Sequence, residues 1–167
     1  MTCAKLLLIV TNTNVRRRLL ATWREFVIEQ PGVDREGSPP TAAGAEAPVA
    51  FTRLKVRDDL SLSVFVVDGG WRREYVCHAL ARQVDGYCLV VGSEASELIL
   101  ARDLMQLLGR TTPGMIASAV AGGEPRVRSA LALPEETPIP SVDCADRISV
   151  AELVCALLEH LAAARAA

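Results

Sequence analysis

The chain has 167 residues, of which 50% are apolar and 23% are charged, and its formal net charge is −2. This length and composition predict one soluble globular domain that needs no disulfide or metal for its stability. The charge argues against nucleic-acid binding, and no apolar run approaches the roughly 20 residues that a membrane-spanning helix requires. Because the N-terminal apolar run is too short for a secretory signal, we expect a cytoplasmic location.

The first predicted elements are a strand and a helix. The apolar run Lys5–Val10 is typical of a strand buried on both faces. Apolar residues then recur at helical spacing over Val15–Glu29, and Asn14 is the predicted N-cap because its side chain can accept from first-turn N–H groups. Residues 31–48 are rich in proline, glycine, alanine and acidic residues without periodicity, which predicts a flexible loop.

Two further strands are predicted over Ala50–Val56 and Leu60–Val67. Residues 57–59 alone separate them. A connection of this length joins antiparallel neighbours, because a parallel crossover requires about a dozen residues or more. The sequence therefore predicts one antiparallel pair.

From Asp68 onward, helical and strand patterns alternate. This alternation is typical of a sheet covered by helices on both faces. The sequence thus predicts an α/β fold of three α/β/α layers, with a six-stranded, mostly parallel sheet and one antiparallel strand. Either Asp146 or Ser149 is expected to cap the last helix. The predicted helices cover 73–83, 94–108, 125–133 and 150–164, and the predicted strands cover 86–91, 115–120 and 139–142.

This order of elements resembles that of Ras-like small GTPase domains over nearly the whole chain, residues 1–167. The nearest group is the bacterial small GTPases related to the gliding-motility and cell-polarity switch. The family's first strand, phosphate loop and first helix resemble KLLLIVTNTNVRRRLL, and its third strand with the next segment resembles VFVVDGGWRREY. Its fourth strand and third helix resemble DGYCLVVGSEASEL, and its last strand and helix resemble IPSVDCADRISVAELVCALLEHL. The resemblance implies a single domain with a G-domain-like fold.

The phosphate loop of that family is lost here. Such a loop needs glycines that let the backbone wrap around phosphates, a lysine that reaches them, and a hydroxyl for magnesium. Residues 10–17 contain no glycine, and the first glycine of the chain is Gly32. Arg16 stands at the lysine position and Arg17 at the hydroxyl position, and Thr13 and Asn14 fall within the loop.

Two more motifs of the family are incomplete. Asp68 aligns with the magnesium-linked aspartate, but Trp71 replaces the glycine that meets the γ phosphate, and Arg72 replaces the water-positioning glutamine. The guanine-specificity motif aligns with residues 119–122, which contain no carboxylate. We therefore expect a pseudo-GTPase, a domain that is not an enzyme and has no nucleotide, cofactor or metal site.

A domain without nucleotide is expected to act through its surface. The candidate partner-binding residues are Phe51, Trp71, Arg72, Arg73 and Tyr75, because Trp, Tyr and Arg are enriched at interface hot spots. Trp71 has a second interpretation, as a lid over the vacated phosphate site. The resemblance implies a roadblock-type regulator or an active small GTPase as partner, and a homodimer is equally open.

Three alternatives remain open from the sequence. The first is a receiver-like signalling domain, with Asp68 as phospho-acceptor and Ser93 as switch hydroxyl, and antiparallel pairing of the second and third strands would exclude it. The second is a GTPase that retains weak, atypical nucleotide binding. The third is an enzyme of another kind, which is disfavoured because no nucleophile elbow or dinucleotide loop is present. The five cysteines contain no CxxC pair and are expected to be reduced core residues.

Overall fold

A computed structural model describes residues 2–28, 49–57, 60–108 and 112–166. The predicted flexible loop, residues 31–48, lies outside the described residues. Within these ranges, no helix combines the length and the apolar character that crossing a membrane would require.

Five strands form one mixed sheet in the described part of the chain, in the order β2-β3-β1-β4-β5. β1 pairs parallel with β3 and β4, and β4 pairs parallel with β5. β2 pairs antiparallel with β3 and lies at the edge, which confirms the antiparallel pair predicted from the short connection. The strands are β1 (Thr2–Val10), β2 (Val49–Arg57), β3 (Leu60–Asp68), β4 (Gly86–Val91) and β5 (Gly114–Ser118).

Helices connect the parallel strands. The segment after β3 is continuous but irregular, because α2 passes into a π turn over Val76–Leu80 and a 3-10 turn over Ala81–Gln83. The helices are α1 (Thr13–Ile28), α2 (Arg73–Tyr75), α3 (Ala95–Leu108), α4 (Glu124–Leu131) and α5 (Arg147–Ala166).

The sheet separates two apolar cores, because successive residues of a strand point to opposite faces. On β1, Leu6 and Leu8 pack in the first core with side chains of α1 and α5. Leu7 and Ile9 pack in the second core with side chains of the 73–83 segment, α3 and α4. All four β1 side chains are fully buried. The fold is therefore a sheet between two helical layers, as an uninterrupted apolar strand predicts.

The predicted sixth strand, residues 139–142, is a single parallel bridge between Ser118 and Ser141. The N–H of Ser118 donates to the carbonyl of Pro140 at 2.9 Å, and the N–H of Val142 donates to the carbonyl of Ser118 at 2.8 Å. Because Pro138 and Pro140 have no N–H, the ladder cannot extend along this segment. The described sheet therefore has five strands, and the prediction of six was wrong.

The start of α5 is capped by Asp146. Its carboxylate accepts hydrogen bonds from the N–H groups of Ile148 at 3.3 Å and Ser149 at 3.0 Å. The hydroxyl of Ser149 instead accepts from the N–H of Asp143 at 2.9 Å. Of the two predicted caps, Asp146 is the one that binds the first turn.

Candidate functional site

The loop after β1 consists of Thr11 and Asn12 alone, because α1 begins at Thr13. The side-chain oxygen of Asn12 accepts hydrogen bonds from the backbone N–H groups of Asn14 at 2.8 Å and Val15 at 3.1 Å. Asn12 is therefore the N-cap, and the prediction that Asn14 caps a helix beginning at Val15 was wrong. Two of the N–H groups that the start of α1 would offer to an anion are bound by the chain's own side chain.

Glu97 of α3 joins this loop to the loop after β4. Its carboxylate accepts hydrogen bonds from the side-chain nitrogen of Asn12 and from the N–H of Glu94, the latter at 2.9 Å. Glu97 is only 6% exposed, and a Cβ on Gly92 would lie 2.0 Å from its Oε2. The hydroxyl oxygen of Thr11 accepts from the N–H of Gly92 at 3.2 Å. The loop after β1 and the loop after β4 are thus connected twice, directly by the bond between Thr11 and Gly92 and indirectly through the Glu97 carboxylate.

Asp68 ends β3 beside the end of β1. Its carboxylate accepts hydrogen bonds from the hydroxyl of Thr13 at 3.0 Å and from the N–H of Gly70 at 2.9 Å. The N–H of Gly69 donates to the carbonyl of Val10 at 2.9 Å, which aligns the two strand ends. The fold therefore brings Thr13 and Asp68 together, and the two side chains bind each other.

Arg16 stands at the lysine position of the resembled phosphate loop, and it is only 2% exposed. Burial lowers the pKa of its guanidinium, and the negative charge of Asp68 acts in the opposite direction. Asn14 and Arg17 are exposed. Five residues thus stand at positions that the resembled family uses for nucleotide, and all five lie at or beside the start of α1. Thr13, Asn14 and Arg17 are exposed, Asp68 is half-buried and Arg16 is buried.

The residues around the start of α1 are named the cleft, and they are Asn12, Thr13, Arg16, Asp68 and Glu97. Two of them are carboxylates, which disfavour a phosphate group. The carboxylates of Asp68 and Glu97 contact Thr13 and Asn12, the residues on either side of the helix start. Carboxylates repel a phosphate, and the repulsion strengthens where surrounding protein excludes water, while the buried Arg16 guanidinium beside Asp68 acts in the opposite direction. A phosphate at the start of α1 would have to displace the Asn12 cap and would then meet two carboxylates.

Asn12 and Glu97 are the residues of the cleft that sequence reasoning missed. By sequence alone, Asn12 is one of four polar residues between the first strand and the first helix, and Glu97 resembles a solvated residue in the first turn of a helix. The available signal was the Glu94–Glu97 spacing after Gly92, because a Glu at the third helical position often bonds the backbone at the helix start. That signal gives no hint of the Asn12 contact, which depends on the tertiary fold.

The loop after β5 is closed by Ser118. Its hydroxyl donates to the carbonyl of Val120 at 2.9 Å. Gly122 has a φ of 69°, a left-handed conformation that favours glycine, and a Cβ on Gly123 would lie 2.5 Å from the Ser118 hydroxyl oxygen. This loop, which aligns with the guanine-specificity motif, is therefore a tight turn whose residues 119–122 carry no polar side chain.

Three predicted partner-binding residues form a cluster at the start of α2. The rings of Trp71 and Tyr75 meet edge to face with centroids 6.2 Å apart, and the Arg72 guanidinium lies 5.7 Å from the Trp71 ring centroid. Tyr75 is 51% exposed, whereas Trp71 is half-buried against the second core. Arg73 turns away from this cluster, since its guanidinium pairs with Asp103 of α3 at 2.8 Å.

The fifth predicted residue, Phe51, lies on the edge strand β2. It faces Phe65 of β3, with ring centroids 5.0 Å apart, and it is 37% exposed. Phe65 packs against the second core, as Trp71 does. Phe65, which Phe51 contacts, and Trp71 therefore lie on the side of the sheet that holds the second core. Together with Arg72 and Tyr75, which contact Trp71, these residues are named the aromatic surface.

The sequence matches no model of a known protein family and no curated protein. Within the described residues, no three His, Cys, Asp or Glu side chains are grouped as metal ligands would be. The function is therefore argued from two features, the cleft around Asn12 and the aromatic surface.

Proposed function

We propose that this chain is a pseudo-GTPase, a non-catalytic G-domain-like interaction module that acts as a scaffold or regulator in a protein complex. One observation carries the proposal. The side chain of Asn12 binds the first-turn N–H groups of α1, where a nucleotide-binding domain of this type presents such groups to a phosphate. The N–H groups of Asn14 and Val15 are already bound in this way and are not available to a nucleotide.

The topology supports this proposal over the receiver-like alternative. β2 and β3 are antiparallel neighbours with one short connection between them. In a receiver these strands would be parallel, and a helix would connect them. Asp68 also binds Thr13 and Gly70, which uses both oxygens of the carboxylate that a receiver would phosphorylate.

The aromatic surface is the proposed contact with a partner. It combines an exposed tyrosine, a half-buried tryptophan and an arginine, the residue types enriched at interface hot spots. Arg72 has a φ of 35°, which is unfavourable for a residue with a side chain and costs about 1 kcal/mol or more. Backbone strain of this kind often occurs at functional sites, which supports a role for Arg72 in the proposed contact. The resemblance suggests a roadblock-type regulator or an active small GTPase, with a second copy of the chain as the other candidate.

Calorimetric titration tests the absence of nucleotide binding. The purified chain is titrated with GTP, GDP and ATP in the presence of magnesium, and an active small GTPase is titrated in parallel as the positive control. We expect no saturable binding up to about 1 mM nucleotide, a limit of roughly −4 kcal/mol. Micromolar, guanine-selective binding would reject the proposal and support the alternative of a weak, atypical GTPase.

A further inference from the structure

Cys3 lies in a polar patch on the sheet, outside the cleft and independent of the proposed function. It is exposed on β1, and its sulfur lies 3.4 Å from the hydroxyl oxygen of Ser63 on β3. Ser61 is its direct neighbour in the β1–β3 register. β3 therefore brings two hydroxyl groups to one exposed thiol on β1.

Ser61 is the unusual member of this patch. It is only 1% exposed, and its buried hydroxyl oxygen makes no hydrogen bond of ordinary geometry within the described residues. Buried hydroxyls are nearly always hydrogen-bonded. This hydroxyl faces Cys3, and it is the largest influence that lowers the pKa of the Cys3 thiol. The hydroxyl of Ser61 is thus placed to donate to the Cys3 sulfur, which gains negative charge on ionisation.

Two cations add to the effect of the hydroxyls. Ser63 makes the second largest contribution to lowering the pKa of Cys3. Burial opposes the two hydroxyls with a smaller effect, and the positive charges of Arg53 and Lys5 lower the pKa further, each by less than burial raises it. Arg53 and Lys5 are the residues opposite Ser63 on β2 and β1. The sulfur is therefore surrounded by groups that stabilise a thiolate, the form of cysteine that reacts.

We propose that Cys3 is the preferred site in this chain for reversible exchange with low-molecular-weight disulfides, such as glutathione disulfide. The Cys3 thiolate attacks one sulfur of the reagent and forms a new S–S bond as the reagent's S–S bond breaks. The departing thiolate keeps the electron pair and takes a proton from water. Cys3 is oxidised, and one half of the reagent is reduced.

The other described cysteines provide the comparison. Cys77, Cys88 and Cys144 are buried, and burial raises the pKa of each thiol, to about 11 for Cys77 and Cys144. A dissolved disulfide therefore has little access to these three sulfurs, and a raised pKa keeps them in the unreactive thiol form. Cys155 on α5 is exposed like Cys3 but lies outside the polar patch. It is therefore the matched control, because it shows how fast an exposed thiol reacts without the patch.

The test is peptide mapping of the reduced, full-length chain during reaction with glutathione disulfide at pH 7. Mass spectrometry then follows modification of Cys3 and Cys155 in the same sample, so no variant is needed for the first comparison. We expect Cys3 to react at least about threefold faster than Cys155, because the larger thiolate fraction outweighs the lower nucleophilicity of a more acidic thiol. Equal rates, or faster modification of Cys155, would overturn the proposal.

The Ser61→Ala variant tests whether the polar patch, and not exposure alone, makes Cys3 reactive. We expect the midpoint of the pH profile of Cys3 modification to move to higher pH and the rate at pH 7 to fall. Ser129→Ala, which removes an exposed hydroxyl on α4, is the control and should leave the profile unchanged. An unaltered profile in Ser61→Ala would show that the buried hydroxyl does not act on Cys3, and would also overturn the proposal.

Discussion

Asn12 donates a hydrogen bond from its side-chain nitrogen to the carboxylate of Glu97, which lies 85 positions further along the chain. The oxygen of the same amide group accepts from the first turn of α1. One side chain therefore defines where the helix begins and connects the loop after β1 to α3. Its removal would free the helix start and leave Glu97 with one donor fewer.

The variant Asn12→Ala is expected to lose stability. The free energy of unfolding should fall by about 1–3 kcal/mol, because the N-cap is lost and a buried carboxylate loses a donor. Asn14→Ala is the matched control, since Asn14 is exposed two positions away, and it should change the free energy by less than about 0.5 kcal/mol. Urea unfolding followed by circular dichroism measures both. Equal losses in the two variants would contradict the assignment of Asn12 as the cap.

The variant Gly92→Ala tests the packing of Glu97 over the loop after β4. The new Cβ would lie 2.0 Å from Oε2 and 2.5 Å from Cδ of Glu97, so the carboxylate must move and weaken its bonds to Asn12 and Glu94. We expect a loss of about 1–3 kcal/mol in unfolding free energy. Gly70→Ala is the milder comparison, because its Cβ would lie 3.2 Å from Oδ1 of Asp68, a contact that a shift of a few tenths of an ångström relieves, and thermal unfolding compares the two. A Gly92→Ala variant as stable as Gly70→Ala would show that Glu97 is not held in place.

The three buried thiols of Cys77, Cys88 and Cys144 make stability fall in alkaline solution. Burial raises the pKa of each above the ordinary value of 9.0. Above pH 9 the unfolded chain therefore releases protons that the folded chain retains, and the free energy of unfolding decreases as pH rises. Each thiol contributes a slope of up to about −1.4 kcal/mol per pH unit between its unfolded and folded pKa values.

Single cysteine variants measure this slope. Urea unfolding at intervals from about pH 9 to pH 11, the range set by the linkage relation, should show a shallower decline for Cys144→Ala than for the parent chain. Cys155→Ala, at an exposed position, should follow the parent chain. Comparison between variants cancels the tyrosine and lysine titrations that all of them share. Parallel curves for all three proteins would refute the contribution of Cys144.

The variant Trp71→Ala tests the aromatic surface. If this surface binds a roadblock-type protein, an active small GTPase or a second copy, we expect Kd to rise about thirtyfold, the loss of about 2 kcal/mol typical of a hot spot. Ile148→Ala is the control, because Ile148 is 69% exposed on α5, away from this surface in sequence. Calorimetry or analytical ultracentrifugation measures Kd, and circular dichroism checks that both variants fold. An unchanged Kd for Trp71→Ala would reject the surface as the contact.

Runs of apolar residues and the lengths of the segments between them are sufficient to predict much of the fold. The run Gly86–Val91 was predicted with the bounds it has, because an uninterrupted apolar segment of this length is typical of a strand covered on both faces. The antiparallel pair of β2 and β3 followed from the short connection at residues 57–59, which no parallel crossover can use.

The cleft was less predictable, because contacts distant in sequence decide it. Asn12 and Asn14 are equally good caps by residue type, and the contact of Asn12 with Glu97 distinguishes them only in the folded chain. The predicted strand 139–142 failed for a local reason that the sequence does contain. Pro138 and Pro140 remove two ladder donors, and the apolar character of Ile139 and Val142 does not compensate for them.

The junction of Asn12, Glu97 and Gly92 also bears on how the proposed module would be controlled. A switch domain changes its surface when a ligand is exchanged, whereas in this chain the protein's own side chains connect the loop after β1 to the loop after β4. Occupancy of the aromatic surface would then follow mass action, set by the amounts of the chain and its partner. Under the proposed function, the concentrations of the two proteins, and not the exchange of a nucleotide, would decide when such a complex forms.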